Sequence, residues 1–249
     1  METYFRIPYQ FDKAVVWERI DWMVEGNVPG YICVADGVTV STVQHSEGMR
    51  TILGEASLVV CDSGWIPLFI RWIYGHKYEQ YAGTDFFRDG ISKRKYRMMF
   101  LGTSRKTLDP LQENLAKIDA RIQDMPFSEL PFCTVDEFDY QGIATHVNLY
   151  HPDIIWVSLG MPKQEQFMYR LKPHITQGVM IGVGAAFKFL SGMKNQKRAP
   201  KWMIRCKIEW IHRLFSEPKK QIKRCWLILH TFPTMLYQEL KQKRRQHVL

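Results

Sequence analysis

Three short stretches of this chain carry side chains that could do chemistry. VCDSGW (60–65) ends an apolar run in Asp62, GMPKQE (160–165) follows another apolar run with Lys163, Gln164 and Glu165, and VGAAF (183–187) closes a third in small residues. A lone carboxylate at a strand end suits deprotonation of an acceptor hydroxyl in a transfer reaction, whereas glycoside hydrolysis usually recruits two. The plainer alternative for Asp62 is an N-cap for a helix beginning near Trp65. In GMPKQE, a helix start explains Pro162 and Glu165; Lys163 and Gln164 are left over, and they suit a polar ligand. VGAAF alone also fits close packing of a strand on a helix.

Such stretches need a sheet behind them, because open parallel sheets bind ligands beyond the carboxyl ends of their strands. Apolar runs at 31–34, 58–61, 97–101, 154–159 and 179–183, with a weaker one at 132–135, read as strands. Helical patterns lie at 38–53, 67–74, 108–122, 141–149, 164–172, 202–215 and 219–240, the last interrupted at Pro233. This alternation predicts an α/β fold: a Rossmann-like doubly wound parallel sheet over residues 1–195, followed by a basic helical C-terminal appendage over 196–249. The Gly-bearing turns after the strands, together with Ala35-Asp36-Gly37, would make an anion cradle.

Composition narrows the function classes. With 249 residues and 46% apolar content, the chain can bury a sizeable core, so disorder is excluded as its main state. Five scattered cysteines with no Cys-x-x-Cys pair read as reduced thiols and offer no zinc site. METYFRIPYQFDK lacks the apolar core of a signal peptide, and no window reaches the roughly eighteen apolar residues of a membrane span, so a cytoplasmic location is expected. No Gly-x-Gly-x-x-Gly, no phosphate-binding loop ending in Gly-Lys-Ser/Thr and no Asp-x-Asp occurs. A dinucleotide-dependent oxidoreductase and a metal-clamped sugar nucleotide are therefore disfavoured, and neither metal nor cofactor is expected.

Charge is asymmetric within a net +9. From Lys188 onward there are 16 Lys and Arg against Glu209, Glu217 and Glu239, while the preceding part carries 18 against 22 acids. The basic end points to an anionic partner. In KWMIRCKIEWIHRLF, Ile204, Ile208, Ile211 and Phe215 form an apolar seam, with Lys201, Arg205, Glu209 and Arg213 as a charged ladder. The next helix sets Lys220, Lys223 and Arg224 opposite Ile222, Trp226 and Leu229, a pattern of helices that lie on anionic membranes. A non-enzymatic membrane- or nucleic-acid-binding module is the rival reading, but no helix-turn-helix, zinc or RNP pattern supports nucleic acid.

The ordered set of Asp62, GMPKQE, VGAAFKFLSG, KRAPKWM and KIEWIHRLFSEPKK resembles the WecG/TagA/CpsF family of bacterial glycosyltransferases over roughly residues 32–224. The resemblance implies inverting transfer of a hexose or N-acetylhexosamine, of N-acetylmannosamine type, from a UDP-sugar to an undecaprenyl-diphosphate-linked sugar. It also implies a peripheral position on the cytoplasmic membrane face. Under it, Asp62 is the catalytic base, Gln164 a donor or acceptor contact, and Arg213 a holder of the diphosphate. A Thr-x-Asn pocket motif falls on Val34-Ala35-Asp36, so that the acid at Asp36 either repels the charge of Asp62 or binds a different sugar hydroxyl. A pocket arginine falls on Gln80, and two later arginines fall on Lys220 and Lys223, which keep charge but lose bidentate geometry. Self-association is left open.

Overall fold

The five central strands are nearly continuous apolar runs because they are covered on both faces. In β3 (Gly30–Ala35), Tyr31, Cys33 and Ala35 enter one core and Ile32 and Val34 the other; in β7 (Ile154–Ser158), Ile155 and Val157 oppose Ile154 and Trp156 in the same way. The structure, a computed structural model, describes residues 2–193, 199–200, 203, 211, 214–215 and 217–246. The other strands are β1 (Glu2–Tyr4), β2 (Ile7–Gln10), β4 (Leu58–Cys61), β5 (Met98–Gly102), β6 (Phe127–Ser128) and β8 (Val179–Gly182). They form one eight-stranded sheet in the order β1-β2-β4-β3-β8-β7-β5-β6, antiparallel between β1 and β2 and parallel elsewhere.

Helices α2 (Gly37–His45), α3 (Glu47–Gly54), α4 (Ile66–Tyr74), α7 (Tyr140–Tyr150), α8 (Lys163–Leu171) and α10 (Pro218–Gln246) contribute to the first core. Helices α1 (Lys13–Glu25), α5 (Gly83–Ser92), α6 (Arg105–Ala116) and α9 (Ala186–Leu190) contribute to the second. The sheet is thus Rossmann-like and doubly wound. The neighbouring strands β3 and β8 send their helices to opposite faces, and that divergence makes the switch point at which such sheets open a crevice.

Several elements depart from the sequence expectations. The 38–53 helix is two, because Ser46 accepts the Met49 N–H (3.2 Å) and starts a second helix. At 132–135 there is no strand: Glu137 accepts from the Thr134 N–H (2.6 Å) and hydroxyl (2.9 Å), closing a capping box on a 3-10 turn at Val135–Glu137. The edge strand is β6, whose Phe127 stacks on Phe100 at 4.1 Å. The 108–122 helix starts earlier and stops at Ala116, with a 3-10 turn at Ala120–Asp124 beyond it. α10 runs unbroken through Pro233, which sits with Leu229 on the exposed side, where solvent can satisfy the carbonyl that loses its donor. β1, β2, α1, α5 and α9 carried no expectation. Most of the 202–215 helix falls outside the described residues.

α10 packs on α2 and α4. Phe232 lies 5.0 Å from Phe69 between ring centroids, and a side-chain carbon added at Gly37 would meet Ile228 at 3.1 Å. Buried Glu239 accepts the Phe5 N–H (2.8 Å) and the Tyr74 hydroxyl (2.9 Å), and the Lys243 ammonium reaches the Ile73 carbonyl. Phe5 and Arg6 both have positive φ (51° and 64°) in the two-residue turn joining β1 to β2, a conformation that side chains resist. Glu239, with Gln44 donating to the Phe5 carbonyl (3.1 Å), holds that turn.

Candidate active site

Asp36 and Asp62 follow neighbouring strands, with the Asp62 N–H donating to the Ala35 carbonyl at 3.0 Å. Asp36 is the N-cap of α2: its Oδ1 accepts from the Val38 N–H (3.0 Å), the Thr39 N–H (3.0 Å) and the Thr39 hydroxyl (3.1 Å). Its other oxygen is paired with the Arg224 guanidinium from α10, both side chains being about three-quarters buried. Asp62 does not cap α4, which begins without a side-chain cap and with Pro67 in its first turn. Instead its Oδ1 accepts the Gly83 N–H at 2.8 Å, the first donor of α5, whose own N-cap Ala82 offers no side-chain acceptor. The positive end of α5 therefore faces the Asp62 carboxylate.

These groups border a cavity of about 470 Å³ at the carboxyl ends of β3 and β4. Its polar lining includes Asp36, Asp62, Ser63, Gln80, Thr84, Gln221 and Arg224; its apolar wall is made by α4 and α10 through Trp65, Ile66, Phe69, Ile228, Leu229 and Phe232. Gln80 Oε1 is buried here with no hydrogen-bond partner, an acceptor lacking compensation among the described residues. A larger cavity of about 660 Å³ lies at the β1–β2 margin of the sheet, lined by Glu2, Tyr9, Phe11, Lys77, Tyr78 and others. It gathers no loop from the switch point, so the Asp62 cavity is the stronger candidate for chemistry. Among the described residues no three His, Cys, Asp or Glu side chains gather as metal ligands.

Among the described residues, neither Lys163 nor Gln164 lines the Asp62 cavity. The Lys163 ammonium is turned to the Cys133 carbonyl and lies 4.7 Å from the Phe138 ring centroid. Gln164 is buried, its Oε1 accepting from the Gly160 N–H (3.3 Å) and the Gly184 N–H (3.1 Å). It ties the turn after β7 to the turn after β8, and a side-chain carbon at Gly182 would come within 3.1 Å of its amide. The leftover amide of GMPKQE is thus consumed inside the protein. Its Nε2 donates to Glu165 Oε1 at 2.9 Å.

Glu165, fully buried, has no partner at Oε2 among the described residues. Burial pushes its carboxyl up to about 7; the Gln164 hydrogen bond opposes that, the Asp36 charge adds to it, and the Arg224 charge partly offsets it. Lys223 is exposed on α10, while Arg213 and the Lys220 side chain lie outside the described residues. Sequence reasoning set Arg224 among the outward cations and passed over Gln221 and Thr84. The inward register 221, 225, 228, 232 and 235, with a helical period, was the signal that could have turned Arg224 toward the body.

A doubly wound α/β protein whose carboxylate-bearing cavity opens at its strand ends belongs among proteins that hold polar ligands there. A model of the glycosyl transferase WecG/TagA/CpsF family matches residues 5–248, and the chain belongs to that family. It is 26% identical over 255 residues to the N-acetylglucosaminyldiphosphoundecaprenol N-acetyl-beta-D-mannosaminyltransferase of Bacillus subtilis (strain 168), covering 98% of this chain and 93% of that protein. The protein of the same name from Bacillus spizizenii is 27% identical over 78% of this chain and 72% of its own length. That from Staphylococcus aureus (strain MW2) is 32% identical over 44% of this chain and 40% of its own.

Proposed function

We propose that this protein transfers an N-acetylmannosamine-type hexose from a UDP-sugar to an undecaprenyl-diphosphate-linked sugar, with inversion, in the assembly of a surface polysaccharide. The observation that carries the reading is Asp62 at the rim of a cavity beyond the strand ends, in a chain whose family match runs from 5 to 248. The names of the relatives support a lipid-linked acceptor.

In this reading the acceptor hydroxyl attacks the anomeric carbon from the face opposite UDP. Its proton passes to Asp62, the bond to the diphosphate breaks, and the electron pair leaves on the UDP oxygen. The Gly83 N–H fixes one carboxylate oxygen and so orients the base. Growing charge on the diphosphate is neutralised by Arg213, Lys220 and Lys223. Arg224, clamped on Asp36, directs its remaining N–H groups at a sugar or phosphate oxygen in the cavity. Gln164 acts on the substrate through the two turns it joins, and Lys163 is the weaker candidate because its ammonium is already engaged. The basic 196–249 segment docks the enzyme on the inner face of the cytoplasmic membrane.

The test is release of UDP from UDP-N-acetylmannosamine and other UDP-hexoses, with and without a short-chain lipid diphosphate N-acetylglucosamine. Acceptor-dependent UDP release with a new disaccharide is expected. Release indifferent to the acceptor, or none from any UDP-hexose, contradicts the reading.

A further inference from the structure

Resting on the membrane role in that reading, we propose that α4, on the body of the protein, shares the membrane contact with α10: the two together form a docking face for an anionic bilayer surface, with the Asp62 cavity between them. The basic C-terminal helices are not the sole contact. α4 is apolar on both sides. Ile66, Ile70 and Ile73 enter the core, while Trp65, Leu68 and Trp72, spaced three and four apart, form an outward stripe that is 47%, 42% and 67% exposed. α10 repeats the arrangement. Ile222, Trp226 and Leu229, spaced four and three, are 59%, 67% and 72% exposed on the side away from the body.

The two helices are held side by side through Phe69 and Phe232, and both stripes reach the rim of one cavity, since Trp65 and Leu229 each line it. Contiguous exposed apolar stripes on a folded protein mark an interaction site. Their composition selects the partner. Tryptophan prefers the interfacial zone of a bilayer, and exposed Arg71 on α4 with Lys219 and Lys223 on α10 supply the charge that anionic headgroups attract. A bilayer seated on both stripes brings the cavity mouth to headgroup depth, where a lipid-linked diphosphate sugar emerges.

The experiment compares the full chain with a Leu68→Gln/Trp72→Gln double variant on vesicles of phosphatidylglycerol and phosphatidylcholine. Neither residue lines the cavity, and both are exposed, so folding is retained. Binding to anionic vesicles is expected to weaken about tenfold or more. A Trp22→Gln control on α1, also an exposed tryptophan at 52%, should bind as the unaltered chain does. Turnover of a short-chain water-soluble acceptor should be unchanged in the double variant. In the unaltered chain, vesicles should slow amide exchange over 65–74. Undiminished vesicle binding by the double variant, or no slowed exchange over 65–74, overturns the proposal. So does a dimer of the unaltered chain that the double variant splits while vesicle binding persists, which would give the face to a second copy. Vesicle binding that needs 65–74, without turnover of any acceptor, keeps the docking face and removes the proposed activity.

Discussion

Replacing Glu165 with glutamine should flatten the pH dependence of stability between pH 5 and pH 7. The carboxyl is buried with one oxygen accepting from Gln164 and the other unpartnered among the described residues, so it is held protonated in the fold up to about pH 7 against an ordinary value of 4.5. A carboxyl whose folded value is raised contributes its full stability below 4.5. As pH rises, the unfolded chain ionises first and gains free energy that the fold does not match. At about 1.4 kcal/mol per pH unit, the interval from 4.5 to about 7 corresponds to a loss of about 3 kcal/mol. For a chain of this length that is a fall in Tm of roughly 6–12 °C. Glutamine cannot ionise, so Glu165→Gln escapes the loss, and its stability relative to the native chain climbs through that window and levels above pH 7. Urea unfolding of both proteins at pH 5, 6, 7 and 8 reads the difference directly. Parallel curves separated by a constant offset would refute a neutral buried Glu165.

Other consequences concern the site and its supports. Arg224→Ala leaves the outer oxygen of Asp36 without its partner and should lower kcat/KM by about tenfold or more with an unchanged circular dichroism spectrum; Arg224→Lys should recover part of the rate, and wild-type kinetics for the alanine variant would remove Arg224 from the site. Glu239→Ala strips the acceptor from the Phe5 N–H and the Tyr74 hydroxyl, so it should cost about 2 kcal/mol in urea unfolding and speed amide exchange in α10; an unchanged midpoint contradicts the role given to that carboxyl. Gly90→Ala puts a methyl 2.5 Å from the buried Trp156 ring and should cost about 1–3 kcal/mol by thermal melting; an unchanged melt would mean that the second core yields at this contact.

The central strands were legible in the sequence because a strand buried on both faces must be a continuous apolar run, and β4 matches its expected bounds residue for residue. β1 and β2 were not, since METYFRIPYQ alternates weakly and is held by Glu239, some 230 residues distant. α5 escaped for a related reason: its first turn carries no local cap, and the acceptor for Gly83 is Asp62 on another strand end. Asp62 stands where its position after a strand put it, at the carboxyl end of β4 and on the cavity wall. GMPKQE was singled out correctly as unusual, but its lysine and amide were assigned outward. Gly182 leaves room for the inward-turned Gln164 amide, and Gly160 and Gly184, both at positive φ, donate their N–H groups to it; that closure is visible only once β7 and β8 are neighbours. Arg224 was misjudged by counting charges along one helix side instead of following the inward apolar register.

The most direct test of the whole account is turnover by Asp62→Asn. The amide oxygen can still accept the Gly83 N–H, so the fold and UDP-sugar affinity should be kept while the group that takes the proton is gone. A fall in kcat of about 10²- to 10⁴-fold with little change in donor binding is expected. A D62N enzyme that forms the disaccharide at close to the native rate would contradict it.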